Sequence, residues 1–240
     1  KTVAIVGPAS YMHDSLLGKE IDSYDLIVRI NRSIESVSRY SLEIGSRTDI
    51  LYSCLIEKPE NAGKINVDEF VSQYSLKYVC APPKSSIEGI SRGNSLSELI
   101  STKKLEEIKE KIPFRIIDFN LNNKIANIVK CRPNTGFLAI YDILFHKPKK
   151  LGIYGFSFYL DGFVDGTKSG IDISEKQFVS KCFNSKRHKQ ENLWNYAKNT
   201  LLKNEMIYLD PYLKFILEMD ELNKERFSIE CNRIKLKNNA

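Results

Sequence analysis

Short apolar runs alternate along this chain with segments whose apolar residues recur at helical spacing. The runs predict strands at Val3–Val6, Leu26–Ile30, Asp49–Cys54, Leu76–Ala81, Phe114–Phe119, Leu151–Phe156 and Met206–Leu209. Val3 to Val6 is apolar without interruption, as a strand covered on both faces of a parallel sheet should be. Helices are predicted at Val67–Tyr74, Ser97–Lys111, Asn122–Val129, Gly136–Phe145, Gln190–Leu202 and Pro211–Leu222, with a further short one between the first two strands. In the second of these, Leu99, Ile100, Leu105 and Ile108, with Ile112 just beyond, fall near a 3.6-residue period. Pro211 suits the first turn of the last. Regular β–α alternation of this kind predicts an α/β fold: a single-domain, Rossmann-like, mostly parallel doubly wound sheet flanked by helices. Pro82–Ser95 and Ser157–Gly170 are rich in Gly, Ser or Pro and read as loops, either lids at the sheet's carboxyl edge or passive connections.

Composition narrows this little further. A chain of 240 residues, 42% hydrophobic and 28% charged, suits one globular domain over residues 1–240. No apolar run approaches the roughly 18 residues a bilayer demands, and no signal-peptide pattern opens the chain, so a soluble, cytoplasmic protein is expected. A leader or anchor ahead of Lys1 is compatible with the same start. Five cysteines, an odd number at irregular spacing, show no metal pattern and read as reduced thiols.

The net charge of +6 arises from 36 basic and 30 acidic residues, mostly scattered. Lys181, Lys186, Arg187 and Lys189 gather around His188, which suits an anionic ligand. Lys224, Arg226, Arg233, Lys235 and Lys237 fill the tail, which suits either plain solubility or peripheral contact with an anionic membrane face. Basic residues interleaved with exposed aromatics, the mark of nucleic-acid binding, are not evident, so no nucleic-acid partner is expected.

Several residues could carry chemistry. Gly7 frees the backbone where the first strand ends, and Ser10 and His13 follow in the turn. Arg29 and Asn31 close the second strand, where a buried Arg29 would pair with Asp25 or another carboxylate. Asn134-Thr135-Gly136 opens a helix, and this arrangement either caps the helix or receives an anion on its free amides. Gly155 ends a strand where a ligand could approach the backbone closely. His188 is a candidate general base, against the bland reading of a surface histidine. Glu191 orients that imidazole or charges a helix start.

The order Gly7-x-x, then Gly18-x-Glu20-Ile21-Asp22-x-x-Asp25, then Arg29-Ile30-Asn31, resembles the large sialyl motif of the sialyltransferases, glycosyltransferase family 29. Arg132-Pro133-Asn134-Thr135-Gly136, followed by Leu151-Gly152-Ile153-Tyr154-Gly155-Phe156, resembles the small motif. His188 and Glu191 resemble the very short motif, with a gap two residues narrower than usual. The resemblance spans roughly residues 3–196.

It implies a variant GT-A fold and an inverting, metal-independent transfer of sialic acid from CMP-sialic acid to a sugar hydroxyl of a glycan or glycolipid. No cofactor is implied. Thr135, Gly136 and Asn134 would hold the cytidine monophosphate, and Asn31, with Gly7 and Ser10, its phosphate. Gly155 and Phe156 would flank the nucleotide, and His188 would act as base, supported by His13, Tyr159 or Glu191. The basic neighbours Lys186, Arg187 and Lys189 are expected to lower the imidazole's pKa, and added salt to raise it again. CMP-Kdo is the alternative donor. The readings from other classes are a nucleotide- or RNA-binding module and a non-catalytic remnant of the family.

Three departures qualify the match. Gly7-Pro8-Ala9 stands where the family has Gly-Asn-Ser, and the third, His-Tyr-rich motif has Phe158-Tyr159 as its nearest counterpart. Thr2 and His146-Lys147 stand where animal members carry a disulfide, which favours a microbial enzyme in a reducing compartment.

Overall fold

A computed structural model describes residues 1–83, 102–164 and 170–238, with the backbone alone at 102–104 and 236–238. Each apolar run supplies one strand: β1 Thr2–Val6, β2 Leu26–Ile30, β3 Ile50–Tyr52, β4 Tyr78–Ala81, β5 Phe114–Ile116, β6 Lys150–Tyr154 and β7 Ile207–Leu209. They form one sheet in the order β5-β4-β3-β2-β1-β6-β7. Every strand pair is parallel. The strand order runs outward from β1 to β5 and then returns to β6 on the other side of β1. The chain therefore reverses direction between β1 and β6, the place where α/β sheets open a ligand crevice.

Polar groups shorten some of the runs. Asp49 leaves the third run because its carboxylate accepts the Ile27 amide at 2.8 Å and the Lys77 ammonium at 2.6 Å. Phe119 leaves the fifth because Asp118 accepts the Leu121 amide at 2.8 Å and so starts a helix there.

The helices are α1 Gly18–Asp22, α2 Ser41–Ile44, α3 Val67–Tyr74, α4 Thr102–Lys111, α5 Phe119–Val129, α6 Thr135–Phe145, α7 Glu175–Phe183, α8 Gln190–Leu201, α9 Pro211–Glu218 and α10 Lys224–Asn238. The apolar pattern predicts α1, α3, α4, α5, α6, α8 and α9, whereas α2, α7 and α10 carry no such pattern. In α7 only Phe178 and Val179 are buried, and they join a small cluster with Phe163 apart from the main core. Its start is nonetheless written locally, as a capping box between Ser174 and Gln177. Residues 84–95 of the first predicted loop, 97–101 of the predicted Ser97–Lys111 helix and 165–169 of the second loop lie outside the described residues.

The sheet's centre is apolar on both faces, with Ala4, Ile5, Val6, Ile27 and Val28 fully buried. Arg29 is the exception, and its predicted partner is wrong. Asp25 instead accepts the Thr2 amide at 2.7 Å, while the Arg29 side chain donates to Thr48 Oγ1 at 3.0 Å and to the Ile44, Gly45 and Arg47 carbonyls. Burial pushes its pKa down to about 9, partly offset by the charge of Asp22. Both acids of the Asp22-x-x-Asp25 pattern thus serve the scaffold, since Asp22 accepts the Ser46 amide at 3.0 Å.

Candidate functional site

At the carboxyl edge of the sheet, beyond the ends of β1 and β6, lies a cavity of about 300 Å³. Its floor is set by two glycines. Gly7 donates its amide to Tyr154 O at 2.8 Å, and a Cβ added at Gly7 would stand 2.3 Å from Gly155 O. Gly155 has φ +72°, which a side chain would strain, and its own added Cβ would stand 2.6 Å from Gly7 O. The two strand ends therefore meet backbone to backbone, and Gly155 and Phe156 line the cavity.

One wall is the start of α6. Asn134 accepts the Phe137 amide at 2.9 Å through Oδ1, and its carbonyl accepts that of Leu138 at 2.9 Å. The amides of Thr135 and Gly136 lie in the first turn, where a helix offers them no acceptor, and Asn134, Thr135 and Gly136 all line the cavity. Gly136 lets Phe156 close in: an added Cβ there would meet the ring at 2.9 Å.

Opposite stands Asn31, held at φ +49°. Its Oδ1 accepts the Cys54 amide at 2.9 Å, which leaves the Nδ2 donors facing no acceptor among the described residues. Asn31 too lines the cavity.

His188 closes the same space from the loop between α7 and α8. Its Nδ1 lies 2.7 Å from the Arg132 carbonyl. A carbonyl only accepts, so Nδ1 carries the proton and Nε2 is the free basic nitrogen. The imidazole pKa is lowered chiefly by burial. The Arg132 carbonyl opposes this, and the charges of Arg187 and Arg132 add to it.

Beside the motif residues, the structure places Arg32, which the sequence did not mark, together with Arg187, expected as a basic neighbour of His188, and Phe158-Tyr159, the expected counterpart of the third motif. Arg32 and Arg187 line the cavity, Arg32 paired with Glu35 at 2.8 Å. Phe158 and Tyr159 do so as well, in consecutive left-handed conformations, φ +50° and +60°, that bulky residues rarely adopt. Tyr159 is hydrogen-bonded to Cys182, and burial raises its pKa. Of these, Arg32 carries no motif signal of its own, although it directly follows Asn31 in the chain.

Four predicted site residues stand outside the cavity lining. Gly7 lies one layer below it, in the backbone contact with Gly155. Ser10 donates its amide to Gly162 O at 3.0 Å and begins a single helical turn. His13 packs edge-on against Tyr40, ring centroids 4.7 Å apart. Glu191 is exposed in the first turn of α8, as its helix-start reading has it, and the Arg132 carbonyl lies against Nδ1 of His188, so orientation of the imidazole does not fall to Glu191.

Behind the floor lies Asp210, fully buried between β7 and α9. Its Oδ1 accepts the amides of Tyr212 and Leu213 at 2.9 and 2.8 Å, and its Oδ2 accepts the Gly155 amide at 2.9 Å and the Tyr11 hydroxyl at 2.8 Å. Burial pushes its pKa up to about 6, against the lowering effect of these four donors.

Four of the five basic tail residues contact other groups of the chain. Arg226 lies 3.8 Å from Asp220, Arg233 3.6 Å from Glu230 and Lys235 4.0 Å from Asp14, and Lys224 sits over the Phe183 ring. All five cysteines are free thiols. Among the described residues no group of His, Cys, Asp or Glu is placed to hold a metal, and no helix is long and apolar enough to cross a membrane.

A doubly wound parallel sheet with a cavity at its switch point, walled by the open N-terminus of a helix, defines an α/β protein of the Rossmann-like type. The family model of glycosyltransferase family 29, the sialyltransferases, matches residues 1–160, and the chain belongs to that family. Comparison with curated proteins finds no match.

Among solved structures, monomeric CstII, a sialyltransferase of Campylobacter jejuni, superposes with a TM-score of 0.53 at 11% identity, covering 87% of this chain and 80% of that one. CstII in complex with a trisaccharide acceptor and CMP gives 0.50, also at 11% identity, with coverage of 87% and 80%. A mammalian sialyltransferase gives 0.47 at 18% identity over 76% of this chain, which spans 64% of the length of that protein. The CstII likeness shows that the sialyltransferase fold is shared.

Proposed function

We propose that the cavity binds a CMP-activated sialic acid and that the protein transfers the sugar, with inversion, to a hydroxyl of a glycan acceptor. The observation that carries this reading is the convergence of three groups on one space: the open amides of Thr135 and Gly136, the Nδ2 donors of Asn31, and the basic Nε2 of His188. Family membership and the CstII complex with CMP and an acceptor support it.

In the proposed step the acceptor oxygen bonds to the anomeric carbon as the bond from that carbon to the phosphate oxygen breaks. The acceptor's proton passes to His188 Nε2, and CMP departs with the electron pair. Helix-terminal amides and the Asn31 amide, with Arg187 at the rim, stabilise the negative charge that collects on the leaving phosphate. The family's Asn-Ser turn is replaced by Pro8-Ala9, so Asn31 and the α6 amides carry that task.

The test is release of CMP from CMP-sialic acid, with CMP-Kdo in parallel, across an acceptor panel. Acceptor-dependent release from CMP-sialic acid that survives EDTA is expected. Failure of the protein to bind CMP would overturn the reading, and a requirement for added divalent metal would overturn its account of the leaving group.

A further inference from the structure

Asp210 does not line the cavity, yet two of the four groups it holds, the amides of Gly155 and Leu213, belong to residues that do. The third, the Tyr11 hydroxyl, belongs to a ring stacked on Tyr212 with centroids 4.6 Å apart. The carboxylate thus joins the end of β6, the start of α9 and the turn after β1 at one buried point. Gly155 is the joint that needs fixing. Its carbonyl accepts the Ala9 amide at 3.0 Å and the preceding Tyr154 carbonyl accepts the Gly7 amide at 2.8 Å, so the bond from the Gly155 amide to Asp210 is the third that holds this positive-φ turn, and the next residue, Phe156, carries the ring against which Gly136 packs.

We propose that Asp210 is a positioning residue of the donor site: by holding the Gly155 amide it sets Phe156 against the Asn134–Gly136 turn that receives the nucleotide. The inference rests on the nucleotide reading above and deepens it. An ionised carboxylate offers about four acceptor positions and no donor, which matches the four donors present. Asp210→Asn keeps one oxygen to cap α9 but presents an N–H₂ group to Gly155 and Tyr11. The Tyr11 hydroxyl can turn and accept from it, whereas the Gly155 amide cannot. That single group loses its partner and the helix cap remains.

The experiment measures CMP affinity by calorimetry, donor KM and kcat, and melting temperature for wild type, Asp210→Asn and Tyr11→Phe, all at a temperature where each is folded. Asp210→Asn is expected to weaken CMP binding roughly tenfold, about 1.4 kcal/mol, and to raise donor KM while kcat at saturating donor stays within about threefold. Tyr11→Phe keeps the ring stacking and is expected to weaken CMP binding to a smaller extent, about threefold. A merely structural lesion would instead remove active molecules, lowering kcat at unchanged KM and CMP affinity. That pattern, or a folded Asp210→Asn protein with CMP affinity within about twofold of wild type, overturns the proposal. If Asp210→Asn does not fold, Tyr11→Phe decides, and unchanged CMP affinity in it overturns the proposal. A wild-type protein that binds no CMP overturns the nucleotide reading instead, so the two failures are told apart.

Discussion

His188 owes its chemistry to a single backbone contact. With the Arg132 carbonyl on Nδ1, the neutral ring can carry its proton on that nitrogen alone, and Nε2 is left to take another. The sequence suggested that basic neighbours would depress its pKa. The structure gives burial as the main cause, Arg187 and Arg132 as smaller ones, and neither Lys186 nor Lys189 among them. The salt expectation changes accordingly, because ions screen exposed charges and leave a desolvated ring nearly untouched. Transfer should be lost as pH falls through an apparent pKa below the ordinary ~6.5, and that midpoint should barely move between low and high salt in pH–rate profiles. A midpoint that climbs by about a full unit with salt would restore the neighbouring charges as the cause. His188→Ala should leave CMP binding near wild type and lower transfer by roughly 10² to 10⁴. Full activity in the variant would move the proton to another group.

At the scale of elements, α6 is fixed at both ends of its work. Asn134 caps it at the cavity, and two turns on, Asp142 ties it to the sheet. Asp142 is fully buried, accepts the Tyr52 hydroxyl at 2.5 Å, and pairs with Arg115, whose other nitrogen lies 3.2 Å from it. Tyr52 belongs to β3 and Arg115 to β5, so one carboxylate sets how α6 lies across three adjacent strands. Asp142→Ala would remove the carboxylate acceptor of a buried phenol and of a half-buried guanidinium at once, leaving only the 3.2 Å bond between those two groups. Unfolding in urea should show a loss of roughly 2–4 kcal/mol, and a loss under about 0.5 kcal/mol, the usual scale of surface substitutions, would show that the pair contributes little.

Most of the elements were legible from sequence for the same reason. Strands buried on both faces and helices with an apolar stripe leave a periodic trace, whereas α10 is polar over most of its length with Phe227 buried, and α2 is a four-residue turn.

For the molecule as a whole, charge burial sets up a trade between stability and site geometry. Asp210 titrates near 6 when folded against an ordinary 3.8, so its proton is bound more tightly by the folded chain. A carboxyl whose folded pKa is raised contributes stability that is present below about pH 4 and is lost as pH rises through 6, on the order of 3 kcal/mol in all. Asp49 works the other way. Burial would raise its pKa, but Lys77, the Ile27 amide and Arg47 hold it below the ordinary value, so its contribution is lost as pH falls. Comparing Asp210→Asn with wild type cancels Asp49 and every other shared group. The difference in unfolding free energy should shift in favour of the variant as pH rises from about 4 to about 7, as read by denaturant titration at each pH. A difference independent of pH would mean that Asp210 is not ionised at a cost in the folded chain.

Local pattern sufficed for the parallel α/β class, the seven strands, the capped helix at Asn134 and the family motifs, because burial, periodicity and capping each leave a trace within a few residues of chain. What folding decided was which of those motif residues meet. Asn31, Asn134 to Gly136, Gly155, Phe156, Tyr159 and His188 come together around one cavity, while Ser10 and His13 turn to neighbours outside it and Glu191 stands exposed at a helix start. Arg29 found carbonyls in place of a carboxylate, and Asp210, with no motif around it, became the anchor of the cavity floor. Those outcomes depend on contacts between residues up to 199 positions apart, as between Tyr11 and Asp210. The identity of such partners is set by how strands order and helices pack, which no short window of sequence records.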